Sequence, residues 1–344
     1  MYETREQRNI FTFRQADEPA DPNVGDTWFN TGTGRAYFWA STHSWAVFEL
    51  VTDPLGWWGK DAYIAGGYTG SAPLSTIDRI HFRDDSITYL GSRLTIARLG
   101  VTGVRSGAAG YVLGGYVASP QTRVDKLTFV GETVTSLSAG MPVGTYYAAG
   151  CESGSKGYSM GGYESIVTSR VTALAYSTDG VASITSGLNA ALYLDAGVSA
   201  LTKGYRLHGS TGGNTSTVDG LFFSTEVIGL VVSTMSSYKN STCGFQSEAV
   251  GYSAGGYTTS NSSTIDKITF LHETCSTVAS TLASARRMCA GSNSMVAGYV
   301  SGGLTTIAVG ITDKYYFGIE VDALLSSVLF QGKYTGAGFE NLNR

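Results

Sequence analysis

Gly251-Tyr-Ser-Ala-Gly-Gly-Tyr257, followed by Ser263-Thr-Ile-Asp-Lys-Ile-Thr-Phe270, is the stretch that decides the fold. Its Gly-Tyr step recurs at Gly110, Gly157, Gly204, Gly251 and Gly298, and a first copy carries Ala62 in place of the glycine. The steps are 47 residues long, except for one of 48 between Ala62 and Gly110. Self-similarity at such a period means one supersecondary unit per repeat, stacked in a row or closed into a ring. Residues 286–291, Arg-Arg-Met-Cys-Ala-Gly, precede the last copy, and 98–103, 145–150 and 239–244 match them. A further match, Lys333-Tyr-Thr-Gly-Ala-Gly338, stands near the C-terminus, and none stands just upstream of Ala62. We therefore expect the C-terminal segment to complete the first unit, with residues 338–343 beside the strand that holds Tyr63 and Ile64. A ring closed in this way leaves no exposed sheet edge at the seam.

Each repeat reads as four short strands. The first follows the basic residue and the small-Gly pair, and the second runs from Gly-Tyr to a double glycine. The third ends on Phe82, Phe129, Tyr176, Phe223, Phe270 or Phe317. Two residues earlier stand Ile80, Leu127, Leu174, Leu221, Ile268 and Tyr315. That spacing of two puts each pair on one sheet face, ready to pack on a neighbouring unit. The fourth strand is rich in Thr and Ser. Four strands in such a repeat predict an all-β chain whose residues 61–344 form a six-bladed β-propeller.

The order of small-Gly strand, Tyr-x-x-Gly-Gly strand, aromatic strand and outer strand resembles the kelch blade. The double glycines are Gly66-Gly67, Gly114-Gly115, Gly161-Gly162, Gly255-Gly256 and Gly302-Gly303. Blade four departs with His208-Gly209, and no fourth strand carries the kelch tryptophan. The resemblance implies a kelch-like propeller.

Upstream, residues 1–25 read as an extended arm, and 26–60 as a small β-meander. Strands are predicted over 26–30, 35–39 and 45–50, separated by Gly- and Ser-bearing turns. Three of the five tryptophans, Trp28, Trp39 and Trp45, supply the bulk that a small core needs. Gly25, Asp26, Trp28, Asn30, Thr33, Gly34, Tyr37, Trp39 and Trp45 together resemble a module of tailed-bacteriophage fibre and tail proteins. The resemblance implies a virion mounting piece, with Phe11, Phe13, Trp28, Trp39 and Trp45 as attachment residues.

Composition excludes several classes. The net charge is −4 and 15% of residues are charged, so nothing favours nucleic acid. The N-terminus lacks an apolar signal core, and no apolar run is long enough to span a bilayer. The four cysteines fit neither a zinc pattern nor a disulfide framework, and read as buried free thiols. His43, His81, His208 and His272 share no metal-ligand spacing. No catalytic residue, metal ligand or cofactor is assigned. The double glycines read as positive-φ or close-approach positions, since no helix follows them to hold an anion. Asp78, Asp125, Asp219, Asp266 and Asp313 share one register, with Thr172 in blade three. They read as strand-entry residues, partly buried and in need of hydrogen-bond partners.

These readings together lead us to expect a non-enzymatic structural and adhesion protein of a phage virion. It would be assembled in the host cytoplasm and mounted on other virion proteins by residues 1–60. The propeller would face a host glycan or envelope protein. A capsid decoration or tail accessory protein is one alternative. A surface-polysaccharide depolymerase is the other, because paired carboxylates leave no sequence trace. Blades three and four break the repeat most. That break makes Tyr205, His208, Asn214 and Asp219, with the polar run 211–216, the expected ligand patch.

Overall fold

The computed structural model describes residues 59–342. It also describes the strands Phe13–Gln15, Thr27–Asn30, Arg35–Trp39 and Trp45–Phe48, together with Asp17, Pro19 and Ala20. The chain divides into two compact units, residues 1–55 and 56–344.

In the first unit the three predicted strands form an antiparallel meander in the expected order. Within the arm a short strand adds to this sheet. Phe13–Gln15 pairs in parallel with Thr27–Asn30, placing Phe13 opposite Trp28. Trp28 is buried.

The second unit is a six-bladed β-propeller. Each blade is a four-stranded antiparallel sheet. In blade two the strands, from axis to rim, are Thr102–Arg105, Ala109–Leu113, Val124–Thr128 and Thr133–Ser136. The second strand is buried along its whole length, and the outermost is mostly exposed. The first blade takes its innermost strand from the C-terminus. Ala337–Asn341 pairs antiparallel with Asp61–Ala65, setting Gly338 opposite Ile64 and Phe339 opposite Tyr63.

The repeat motif is explained by what meets at each blade boundary. The tyrosine of every Gly-Tyr step stacks on the aromatic residue ending the third strand of the next blade. The six pairs are Tyr63–Phe129, Tyr111–Tyr176, Tyr158–Phe223, Tyr205–Phe270, Tyr252–Phe317 and Tyr299–Phe82, with centroids 5.2 to 5.7 Å apart. Such pairs contribute about 0.5–1.5 kcal/mol each beyond the area they bury. The glycine of the step makes room for the preceding blade. A methyl at Gly110 would overlap Phe339, and one at Gly298 would overlap Phe245. At the boundary where Ala62 replaces the glycine, the facing register holds only Ser292.

Near the axis the blades touch through backbone. A side chain at Gly150, Gly197, Gly244, Gly291 or Gly338 would overlap the carbonyl of the matching glycine in the preceding blade. One turn above lies a closed circuit of six backbone hydrogen bonds. Tyr147 donates to Gly100, Leu194 to Tyr147, Ser241 to Leu194, Met288 to Ser241, Thr335 to Met288 and Gly100 to Thr335, over 2.6–3.0 Å. All six residues are left-handed, with φ between 57° and 63°.

Two outcomes follow. Deleting residues 333–344 removes the inner strand of blade one, breaks the backbone circuit and strips the buried Asp78 of its cation, Lys333. The truncated chain should aggregate or melt far below the full chain, which a thermal melt with light scattering checks; an unchanged midpoint would contradict the closure. Gly197→Ala should cost about 2–3 kcal/mol through overpacking at the axis. Gly213→Ala, whose added methyl meets open space, should stay within about 0.5 kcal/mol. Urea titrations of the two variants give the comparison.

Candidate functional site

The recurring aspartates sit in the interior, four of the five with a cation supplied by the motif that precedes an inner strand. Lys333 pairs with Asp78 at 2.6 Å, Arg98 with Asp125 at 3.1 Å and Lys239 with Asp266 at 3.0 Å, and Arg286 pairs with Asp313. All eight side chains are almost wholly enclosed. A buried charge requires such a partner. Burial pushes Lys239 and Lys333 below the ordinary lysine value, and Arg98 down to about 10, each against the pull of its aspartate. In blade three both members are neutral, Thr145 and Thr172. In blade four the cation's register holds Leu192, and Arg206 takes over, 2.6 Å from Asp219.

This arrangement relocates most of the expected patch. Tyr205 is buried, stacked on Phe270, with its hydroxyl donating to Glu273 at 2.9 Å. Asp219 is buried against Arg206. His208 is fully enclosed, left-handed at φ 62°, and its Nε2 lies 3.4 Å from Asp266. Burial lowers its pKa. His208 thus occupies the place of a positive-φ glycine, as the double glycines of the other blades do. Asn214 alone of the four reaches the surface. Its amide donates to the carbonyls of Tyr257 and Thr258, and its oxygen accepts from Asn240. Asn261 repeats that staple one blade on. The loop 210–214 closes as 257–261 does, so it is no extension. Phe11 lies outside the described residues. Phe13, Trp39 and Trp45 fall on strands of the first unit.

The concave features of the propeller lie at the two ends of its axis. At one end, Arg105, Glu152, Ser199, Gln246, Asn293 and Glu340 contribute one residue per blade around a cavity of about 40 Å³. Arg105 Nε is 2.8 Å from Glu340 and 3.8 Å from Glu152. The amides of Glu152, Ser199 and Gln246 donate to the side chains of Ser199, Gln246 and Asn293. Burial pushes Glu152 up to about 7, against the pull of Arg105. This polar ring largely satisfies itself.

The other end is a wider pit of about 130 Å³, bordered by the left-handed circuit. Its wall includes Asp195, Thr242 and Thr335. Neither carboxylate oxygen of Asp195 has a hydrogen-bond partner among the described residues, nor has either threonine hydroxyl. Burial pushes Asp195 up to about 7, with Arg206 pulling the other way. The matching positions elsewhere hold Val101, Ala148, Thr242, Cys289 and Gly336. One acid in a register of small and apolar residues was the sequence signal for this site, and reading the repeats for lost rather than gained residues passes over it. Cys151, Cys243 and Cys289 are buried free thiols, and Cys275 is half-buried. Among the described residues no cluster of three or more His, Cys, Asp or Glu is placed to hold a metal. No protein-family model matches the chain, and no curated protein matches it.

Asp195 makes a pH prediction with a definite sign. Its folded pKa, pushed up to about 7 by burial, lies above the ordinary aspartate value of 3.8. Between these values the folded chain holds a proton that the unfolded chain has released. Its contribution to stability therefore falls as pH rises through that window and stays low above it. Asp195→Asn cannot ionise. The variant should gain on the parent between pH 4 and pH 8, by an amount on the order of 3–4 kcal/mol. Urea unfolding of both proteins at the two pH values measures the difference. An identical difference at both would show that the carboxyl titrates normally.

Proposed function

We propose that the chain is a structural and adhesion protein of a tailed-bacteriophage virion. It is mounted through residues 1–60 and presents the propeller to a ligand on the host surface. The observation that carries this reading is the set from Gly25 to Trp45, with its resemblance to phage fibre and tail modules. Of that set, Trp28, Asn30, Tyr37, Trp39 and Trp45 fall on the four-stranded sheet of the first unit. A propeller by itself leaves the chemistry open. Its contribution is a broad disc whose loops tolerate change without loss of the blades.

The test is antibody labelling of intact virions with serum raised against the propeller, imaged by negative stain. Label at the tail tip, with adsorption to host cells blocked by the same serum, is the expected result. Label on the capsid would replace adhesion with decoration. Absence of label would remove the virion assignment altogether. Reducing sugar released from host capsule by the purified chain would make it a depolymerase.

A further inference from the structure

Blades two to four carry, at the pit end of the axis, the longest run of touching tyrosines in two registers that hold tyrosine in other blades as well. Two registers supply it. Tyr116 and Tyr163 follow the double glycines, and Tyr146 and Tyr193 precede the left-handed residues. Their rings touch in sequence, with centroids 5.0 Å apart for Tyr116–Tyr146, 5.4 Å for Tyr146–Tyr163 and 5.8 Å for Tyr163–Tyr193. Tyr147 joins at 4.8 Å from Tyr146 and lines the pit itself. Beyond the row the same registers hold Ser210 and Asn240, Tyr257 under the Arg287 guanidinium, Leu304, and the edge-on pair Tyr68–Tyr334 at 5.6 Å, with Leu99 standing between that pair and Tyr116.

These tyrosines differ from those at the blade boundaries. The boundary rings are buried, and five of their six hydroxyls donate to an acid of the next blade. The five rings of the row are half-buried, and their hydroxyls make no hydrogen bond among the described residues. No boundary needs them, since each blade already has its stack. In the wall of the pit beside them, polar groups lie enclosed behind the surface, the Asp195 side chain on the side of Gly209 and Arg206. Asp195 is 9% exposed and unpartnered, and the hydroxyls of Thr242 and Thr335 are unpartnered too. Each such buried polar group costs about 1–3 kcal/mol. A ligand that brings hydroxyls offsets that cost.

The chemistry narrows the ligand. Rows of aromatic rings stack nucleobases, but only beside a basic groove that tracks phosphates. Here the pit holds a carboxyl and the chain carries a net charge of −4. A cationic amine would suit Asp195 but leaves a row of rings leading away from the pit without a role. Sugar rings have an apolar face for each tyrosine and a hydroxyl rim for the polar atoms. The pit, at about 130 Å³, is well below the roughly 300–1,000 Å³ of pockets for drug-sized ligands. It suits the leading edge of a single ring.

We propose that the axial pit and its tyrosine row bind a neutral glycan. The terminal sugar sits in the pit, where the Asp195 side chain turns to meet its hydroxyls. The following sugars lie along Tyr147, Tyr146, Tyr163 and Tyr193. The proposal rests on the adhesion reading only for the glycan's source.

The experiment is saturation-transfer NMR on the full chain with the methyl pyranosides of glucose, galactose, mannose and N-acetylglucosamine. An oligothymidine and methylammonium serve as probes of the other two classes. At least one pyranoside should receive saturation. Its affinity should fall at least tenfold in Tyr146→Ala/Tyr163→Ala and in Asp195→Asn. Tyr146→Phe and Tyr257→Ala should stay within about twofold of the parent. A circular-dichroism melt confirms that each variant is folded. Asp195→Asn, nearly isosteric, keeps the test open if the double variant fails to fold. Saturation of no pyranoside, equal affinity in all folded variants, or binding of only the amine or the oligonucleotide would overturn the proposal. Sugar binding that does not compete with virion adsorption would leave the site standing and sink the adhesion reading instead.

Discussion

Closure around the axis is the constraint on which the rest of this propeller depends. Six backbone amides donate in a circuit, and six glycines press against one another's carbonyls just below them. The circuit demands left-handed backbone at every member, and five of the six are not glycine. Each such residue costs about 1–2 kcal/mol, while each hydrogen bond returns about 0.5–1.5 kcal/mol net. These are of the same size, so the circuit sets geometry rather than stability. The stabilisation comes from the stacked aromatics and the buried second strands, which can form only when the blades stand at the angle the circuit imposes. A ring of fixed geometry also holds the repeat to one length. The one repeat of 48 residues places its extra residue beyond Gly67, between Tyr68 and Pro73, where the chain runs through an exposed turn away from the axis.

The second layer of constraint is charge. The acidic residue in the hairpin between the third and fourth strands is Asp85, Glu132, Asp179, Glu226, Glu273 or Glu320, always left-handed. Each accepts from a basic residue of the preceding blade. In four blades that cation comes from the third strand, as Arg79, Lys126, Lys267 and Lys314. In blades three and four the third strand offers Ala173 and Gly220, and Lys156 and Lys203 reach across from the second strand. The buried pairs behave alike. Thr145 and Thr172 lose both charges together, and Arg206 substitutes where Leu192 brings none. A buried carboxylate without its cation costs several kcal/mol, so a change at one position is bearable only with its answer at the other.

This explains what could and could not be read from the chain. The blade count, the closing strand and the aromatic stack follow from one period and a spacing of two, because they repeat. The three longer strands of the first unit were likewise marked by their turns. Phe13–Gln15 was not, since three residues carry no periodicity. Blades three and four looked like a ligand patch because their deviations were counted along the sequence. In space each deviation is answered by a neighbour, and Tyr205, His208 and Asp219 are interior residues. The pit was hidden for the converse reason. It takes the same short stretch from each blade, and its tyrosine row alternates between two registers that no single alignment column shows.

Position within the ring then decides where difference can accumulate. Residues whose side chains face the next blade answer to a stack, a clasp or a buried pair, and they vary only in compensated sets. Residues around the left-handed circuit serve closure through their backbone, and the circuit holds Gly, Tyr, Leu, Ser, Met and Thr. The flanking register 99 to 334 also differs between blades, with Leu99, Asn240 and Arg287 beside three tyrosines, while the register 68 to 304 is tyrosine in four blades and Ser210 or Leu304 in the others. Six-fold repetition brings all of them to one end of the axis. A surface free to differ from blade to blade, yet held on a rigid ring, meets both requirements of a specific binding site. The asymmetry that folding tolerates there is the asymmetry that recognition needs.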